Sequence, residues 1–205
     1  YGQLQHIDNP SPQKRKKAQA FVLKENGEKF IFSLNHFKAK TGSASGNNED
    51  QGDGQGVHNA TRVNEANAVV TRVSEWIRYF GDDDVLVMGD LNAYAKEDPI
   101  VVFTDAGYVD LHRAFHADSS YSYTYRGAAG YLDHALANPS MLKQVTGMTA
   151  YHINSDERDS YTYDKSTDNT MFRCSDHDPI IVGLALGENA NSSIGNFWDN
   201  PPVSC

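Results

Sequence analysis

The sequence predicts an α+β layered sandwich, and three observations point there. Strand-like segments outnumber helical ones along the 205 residues, and most are joined by hairpins or loops. Val85 to Met88 form an apolar run without polar alternation, as a strand buried on both faces would. Residues 59–80 instead carry Val63, Ala66, Val69, Val70, Val73, Trp76 and Ile77 at three- and four-residue spacing, the apolar stripe of an amphipathic helix.

Taken in order, residues 1–13 read as a leading loop. Residues 18–24 and 29–35 read as strands joined through Asn26-Gly27, a favoured hairpin-turn pair. From Thr41 to Gly56 the chain is rich in Gly, Ser, Asn and Asp and shows neither strand nor helix periodicity. The helix 59–80 ends at Gly81 and an acidic run, and the strand 85–89 follows. Asp98-Pro99 opens a short helix to about Phe103, with the aspartate as N-cap and proline in the first turn. Residues 121–125, 132–137, 145–152 and 180–186 complete the strands. The tail 187–205 is polar and reads as an extension or linker, which leaves 14–186 as the folded domain.

Hydrophobic residues make up 39% and charged ones 22%, an ordinary globular composition. No run is apolar enough to span a membrane, so no membrane partner is expected. The net charge of −9 argues against binding nucleic acid through a broad basic surface. It leaves room for carboxylates that gather divalent metal. Lys14-Arg15-Lys16-Lys17 is the dense basic run, either the solvated start of a strand or a phosphate-contacting edge. Cys174 and Cys205 allow one bridge tying the tail to the body, or two unpaired thiols.

Four polar motifs stand at strand ends: Asn35-His36-Phe37-Lys38, Gly89-Asp90-Leu91-Asn92, Tyr131-Leu132-Asp133-His134 and Ser175-Asp176-His177-Asp178-Pro179. Each alone is explained by a turn or a packed histidine. Together they supply histidines, carboxylates and a carboxamide, a set suited to metal-assisted hydrolysis. Asp90 and Asn92, two apart in an extended segment, are expected on one side. His134 is expected to face away from Asp133 in a structural role, and Asp178 to cap the turn before Pro179.

With the loop Asp50-Gln51-Gly52-Asp53-Gly54-Gln55-Gly56 and Asn59-Ala60-Thr61-Arg62, these motifs resemble the endonuclease/exonuclease/phosphatase superfamily over residues 14–186. They are most similar to its bacterial extracellular nucleases. The resemblance implies a deoxyribonuclease-like two-layer β-sandwich flanked by helices. It also implies roles. Asp90 positions or polarises the attacking water, and Asn92 holds the phosphate. His177 is general base or transition-state stabiliser, oriented by Asp133. Asp176 is a metal ligand. His36 contacts the phosphate or assists the leaving oxygen, and Arg15 touches phosphate. Lys38 and Lys40 either contact backbone phosphates or are solvated, and Tyr94 and Arg126 are candidates to line the groove. Glu49, Asp50 and Asp53 could hold a structural Ca²⁺, with a mobile loop as the alternative.

Mg²⁺ is the expected cofactor, with Ca²⁺ or Mn²⁺ as alternatives, because the donors are hard oxygens. DNA is the expected partner and RNA the second option, in an extracellular or periplasmic setting. Superfamily members begin with strands carrying an Asn and a metal-binding Glu, and nothing before Arg15 supplies either. The expectation is therefore a truncated piece lacking N-terminal strands, with exposed sheet edges open to oligomerisation and weak catalysis alone. Competing functions are a phosphodiesterase or phosphatase on lipid or inositol head groups, and a non-catalytic binding domain of a larger secreted protein.

Overall fold

The computed structural model describes residues 5–7, 16–157 and 172–187, so Arg15, Cys205 and the tail beyond Gly187 lie outside the described residues. The order is β1 (Gln5–His6), β2 (Lys16–Val22), β3 (Lys29–His36), α1 (Asn59–Phe80), β4 (Val85–Asp90), α2 (Asp98–Asp105), β5 (Val109–Asp110), α3 (Leu111–His116), β6 (Tyr123–Tyr125), β7 (Ala128–Gly130), β8 (Asp133–Ala137), α4 (Pro139–Leu142), β9 (Val145–Ala150) and β10 (Ile180–Leu184). Six strands form one sheet in the order β1-β2-β3-β4-β8-β5. β9 pairs with β10, and β6 pairs with β7 as a separate hairpin.

β4 explains the layering. Val85 and Val87 join Ile31 on one face, beneath Val69, Val73 and Trp76 of α1 and Ile100 and Phe103 of α2. Leu86 turns to the other face and packs with Leu111, Ala135, Met141, Val145 and Met148. Alternate side chains of a strand point to opposite faces, so a strand covered on both sides must be apolar throughout. The fold is mixed α+β, as its pattern predicts.

The register carries the chemistry. β3 and β4 run parallel with His36 opposite Asp90, and β4 runs antiparallel to β8 with Asp90 opposite Asp133. Residues in register on neighbouring strands share a face, so three motif residues form one row across the sheet.

Several local expectations are corrected. The leading loop contains β1, which extends the sheet by pairing with β2. A two-residue strand has no periodicity to reveal it. The outer strands of the large sheet, β1 and β5, are each two residues long. β5, α3, β7 and α4 carry no strong sequence pattern, and only 123–125 of the 121–125 segment is strand. Glu97, not Asp98, is the N-cap of α2. Asp98 instead accepts from Asn59 Nδ2 at 2.6 Å and Gln55 Nε2 at 3.3 Å.

Of the basic run, Lys16 and Lys17 lie among the described residues, and Lys16 is not solvated. Lys16 is fully buried and its Nζ lies 3.1 Å from Glu65 Oε1 on α1. Glu65 also accepts from the Lys38 backbone N–H at 2.7 Å. Removing one partner of such a buried pair leaves an uncompensated charge, at a cost of roughly 3–5 kcal/mol. One turn earlier, buried Arg62 donates to the carbonyls of Gln55 and Val57 at 2.7 and 2.8 Å. Asn48 accepts from the Thr61 N–H at 3.0 Å, capping α1 from outside it. The polar loop is thus tied to α1 near both ends, through Asn48 and Gln55. Asp50 and Asp53 turn their carboxylates onto the local N–H groups of Gly52 and Gln55.

Candidate active site

Gly89 makes the row of side chains possible. It sits opposite Asn35 at φ +126°, where a Cβ would fall 2.0 Å from the Asn35 carbonyl oxygen. Without a side chain there, β4 closes on β3 and brings Asp90 beside His36, with Nε2 3.6 Å from Oδ2.

Beside this row His177 Nδ1 meets Asp133 Oδ2 at 2.6 Å, and the Ser122 hydroxyl donates to the same oxygen at 3.2 Å. The bond fixes the ring: Nδ1–H donates to the carboxylate, and Nε2 lies 4.0 Å from Asp176 Oδ2. Burial alone would lower the His177 pKa, but the hydrogen bond and charge of Asp133, with Asp90 and Asp176, raise it above the usual histidine value. Asp90 is pushed up too, first by burial and then by the charge of Asp133. His36, Asp90, Asp133, Asp176 and His177 line one cleft of ≈ 550 Å³, along with Lys17 and Asn35.

Asn92 departs from the extended geometry expected. It has φ +48° and is buried. It faces Asp90 because the chain turns: Asp90 Oδ1 accepts the Asn92 N–H at 2.8 Å. The Asn92 amide donates to the Phe37 carbonyl at 3.1 Å and to Asp90 Oδ2 at 3.3 Å. Both amide hydrogens are occupied, so in this conformation Asn92 holds Asp90 rather than a phosphate. Lys38 does not line the cleft either, whereas Lys17 does.

Asp178 is not a turn cap. Buried, it accepts the N–H groups of Ile153, Asn154 and Ser155 at 3.2, 2.9 and 2.9 Å, and His152 Nδ1 lies 2.8 Å away. Asn154 then donates to the His177 carbonyl at 2.7 Å. The Tyr123 ring lies 4.6 Å from the His177 ring. His134 is buried with Nε2 2.8 Å from the Ala93 carbonyl, away from the cleft.

Sequence reasoning missed the layer behind Asp133. Buried His112 sets Nε2 2.9 Å from the Asp133 carbonyl and Nδ1 2.6 Å from the Ser120 hydroxyl, and its ring stacks on Tyr131 at 4.0 Å. Burial, then the neighbouring His134, pushes the His112 pKa down to about 4. The unfolded chain therefore binds this proton first as pH falls, so the contribution is complete above about 6.5 and disappears towards 4. Urea denaturation should show about 3 kcal/mol of stability lost across that window from this group. The H112Q variant should give a flatter profile, and an unchanged slope in that variant would refute the assignment.

Asp176, half exposed at the rim, offers the hard oxygen that Mg²⁺ prefers. Among the described residues no group of three His, Cys, Asp or Glu side chains is arranged to hold a metal ion by itself. Mg²⁺ is commonly held by one or two carboxylates, with water and substrate phosphate completing the shell, so Asp176 fits that manner of binding. Glu49, Asp50 and Asp53 likewise form no such group.

The sequence profile of the Endonuclease/Exonuclease/phosphatase family matches residues 19–177. The chain belongs to that family. Members of the endonuclease/exonuclease/phosphatase family are hydrolases acting on phosphate esters. No curated protein sequence matches the chain. Among solved structures it is similar to a mannosyl-6-phosphatase of Bacteroides thetaiotaomicron, with TM-score 0.55 and 17% identity over 83% of this chain and 57% of that one. It is similar to an AP endonuclease from Archaeoglobus fulgidus, with TM-score 0.55 and 13% identity over 89% and 70%. A 3'-5' exonuclease from Neisseria meningitidis gives TM-score 0.53 and 15% identity over 90% and 70%. These likenesses show the family fold. The chain spans 57% and 52% of the lengths of two Bacteroides thetaiotaomicron relatives.

Proposed function

We propose that this chain carries the phosphodiester-hydrolysing centre of a metal-dependent nuclease, with water as nucleophile and DNA or RNA as substrate. The observation that carries the proposal is the in-register row His36, Asp90, Asp133 completed by the 2.6 Å His177–Asp133 contact.

A phosphodiester repels nucleophiles, so positive charge must meet its oxygens as the transition state forms. His177, kept protonated by Asp133, aims its Nε2–H into the cleft as a donor to a phosphate oxygen. Lys17 adds a fixed cation at the edge. Asp90, whose pKa burial has raised, is a better base than an ordinary carboxylate and takes a proton from the water. Asn92 holds Asp90 still, and His36 Nε2 stands 3.6 Å from Asp90 Oδ2. A divalent cation, when bound at Asp176, supplies further positive charge against the phosphate.

The nucleic-acid assignment and the secreted setting rest on the motif likeness to extracellular nucleases. No described helix is long and apolar enough to cross a membrane. Incubation of supercoiled plasmid with Mg²⁺ should give nicked product, and EDTA should stop it. Release of phosphate from mannose 6-phosphate or inositol phosphates, with plasmid intact, would overturn the nuclease reading.

A further inference from the structure

We propose that the cavity across the β6–β7 hairpin from His177 is a second subsite, holding a phosphate and a base of a polynucleotide strand whose scissile bond lies in the cleft. This deepens the nuclease reading and rests on it.

The cavity has a volume of ≈ 270 Å³ and is walled by Tyr94, Lys96, Arg113 and Tyr131, with Asp118 and Ser120 at its rim. Lys96 and Arg113 are exposed, and no other described residue forms a hydrogen bond or ion pair with either head group. Two cations unpaired among the described residues line the cavity with one carboxylate, so its lining is net positive on a protein of charge −9. Positive charge kept unpaired on an acidic protein attracts an anion.

The cavity adjoins the cleft through a short chain of contacts. The His177 ring lies 4.6 Å from the Tyr123 ring, and Tyr123 pairs across the hairpin with Gly130. One strand spacing, roughly 5 Å, separates those two backbones. Gly130 lies so close under Tyr94 that a Cβ there would meet its Cε1 at 2.9 Å. Tyr94 is partly exposed, and Lys40 Nζ sits 4.9 Å from its ring centroid. Lys40 is already paired with Glu97, so the cations on offer are Lys96 and Arg113. A partly exposed aromatic ring beside those two matches a strand of alternating base and phosphate, and a lone phosphomonoester would leave the tyrosine unused.

The test measures binding and turnover separately. A fluorescein-labelled, single-stranded phosphorothioate oligonucleotide is titrated at several KCl concentrations against the wild type, the double variant K96A/R113A and Y94A. Bis(p-nitrophenyl) phosphate, which fills only the cleft, reports turnover. The double variant should bind about tenfold or more weakly, and its log Kd versus log salt slope should fall by about 0.7 for each of the two contacts. Y94A should weaken binding with the slope unchanged. The double variant should turn over the small diester as the wild type does. Equal affinity and slope in wild type and K96A/R113A, or no oligonucleotide binding by the wild type, would overturn the subsite. Absent small-diester turnover would instead count against the nuclease reading, and the salt slope would still decide the subsite.

Discussion

The H177A variant is expected to cleave DNA roughly 10²–10³-fold more slowly in kcat than the wild type, the usual cost of removing one preorganised donor to transition-state charge. His177 is held by one short bond to Asp133, and three carboxylates around it favour its protonated form. The ground-state phosphate needs this donor less than the more highly charged transition state does, so the loss should fall on kcat more than on KM. D133N should reproduce much of the effect. An amide in place of the carboxylate no longer holds the charged imidazolium, and it offers His177 either a donor or an acceptor. If the two residues act as a unit, H177A/D133N should be little worse than H177A alone. Rates that multiply across the double variant would show independent roles and sink the dyad. His177 is only partly buried, so H177A should melt near the wild type, which separates lost chemistry from lost fold.

What could be read in the sequence depended on how many residues each feature uses. α1 matched its expected bounds, 59–80, because a long apolar stripe ends at Gly81, which takes φ +66° and donates its N–H to Ile77. β4 was legible because burial on both faces demands an uninterrupted apolar run. Two-residue strands such as β1 and β5 exist only through their neighbours, so no local pattern announces them. The motif residues were visible as polar clusters at strand ends. That His36, Asp90 and Asp133 share one row followed only from the register. Lys17 could have been found by alternation, since it lies opposite Leu34, two residues before His36 on the same face. His112 and the Lys16–Glu65 pair could not, because an ion pair spanning 49 positions leaves no trace in local spacing.

Gly89→Ala is expected to be the most damaging single-methyl change in the described chain. Two separate costs act at this position. A non-glycine residue at φ +126° is strained, at about 1–3 kcal/mol. The added Cβ also lies 2.0 Å from the Asn35 carbonyl oxygen and 2.9 Å from its carbon, an overpacking against backbone that costs about 1–3 kcal/mol more. The obstacle is a strand of the same sheet and not a side-chain tip, so relief requires β3 and β4 to separate. Their parallel pairing is what sets His36 beside Asp90, so activity should fall even below the melting temperature. Gly27→Ala isolates the first cost: Gly27 has φ +79° in the β2–β3 turn and nothing within 4 Å of its Cβ position. With a melting shift of roughly 2–4 °C per kcal/mol for a chain of this size, G89A should melt well below G27A. G27A should keep full DNA cleavage. Equal melting of the two variants would mean that the β3–β4 contact yields cheaply, and the close approach at Gly89 would then not be what holds Asp90 in the row.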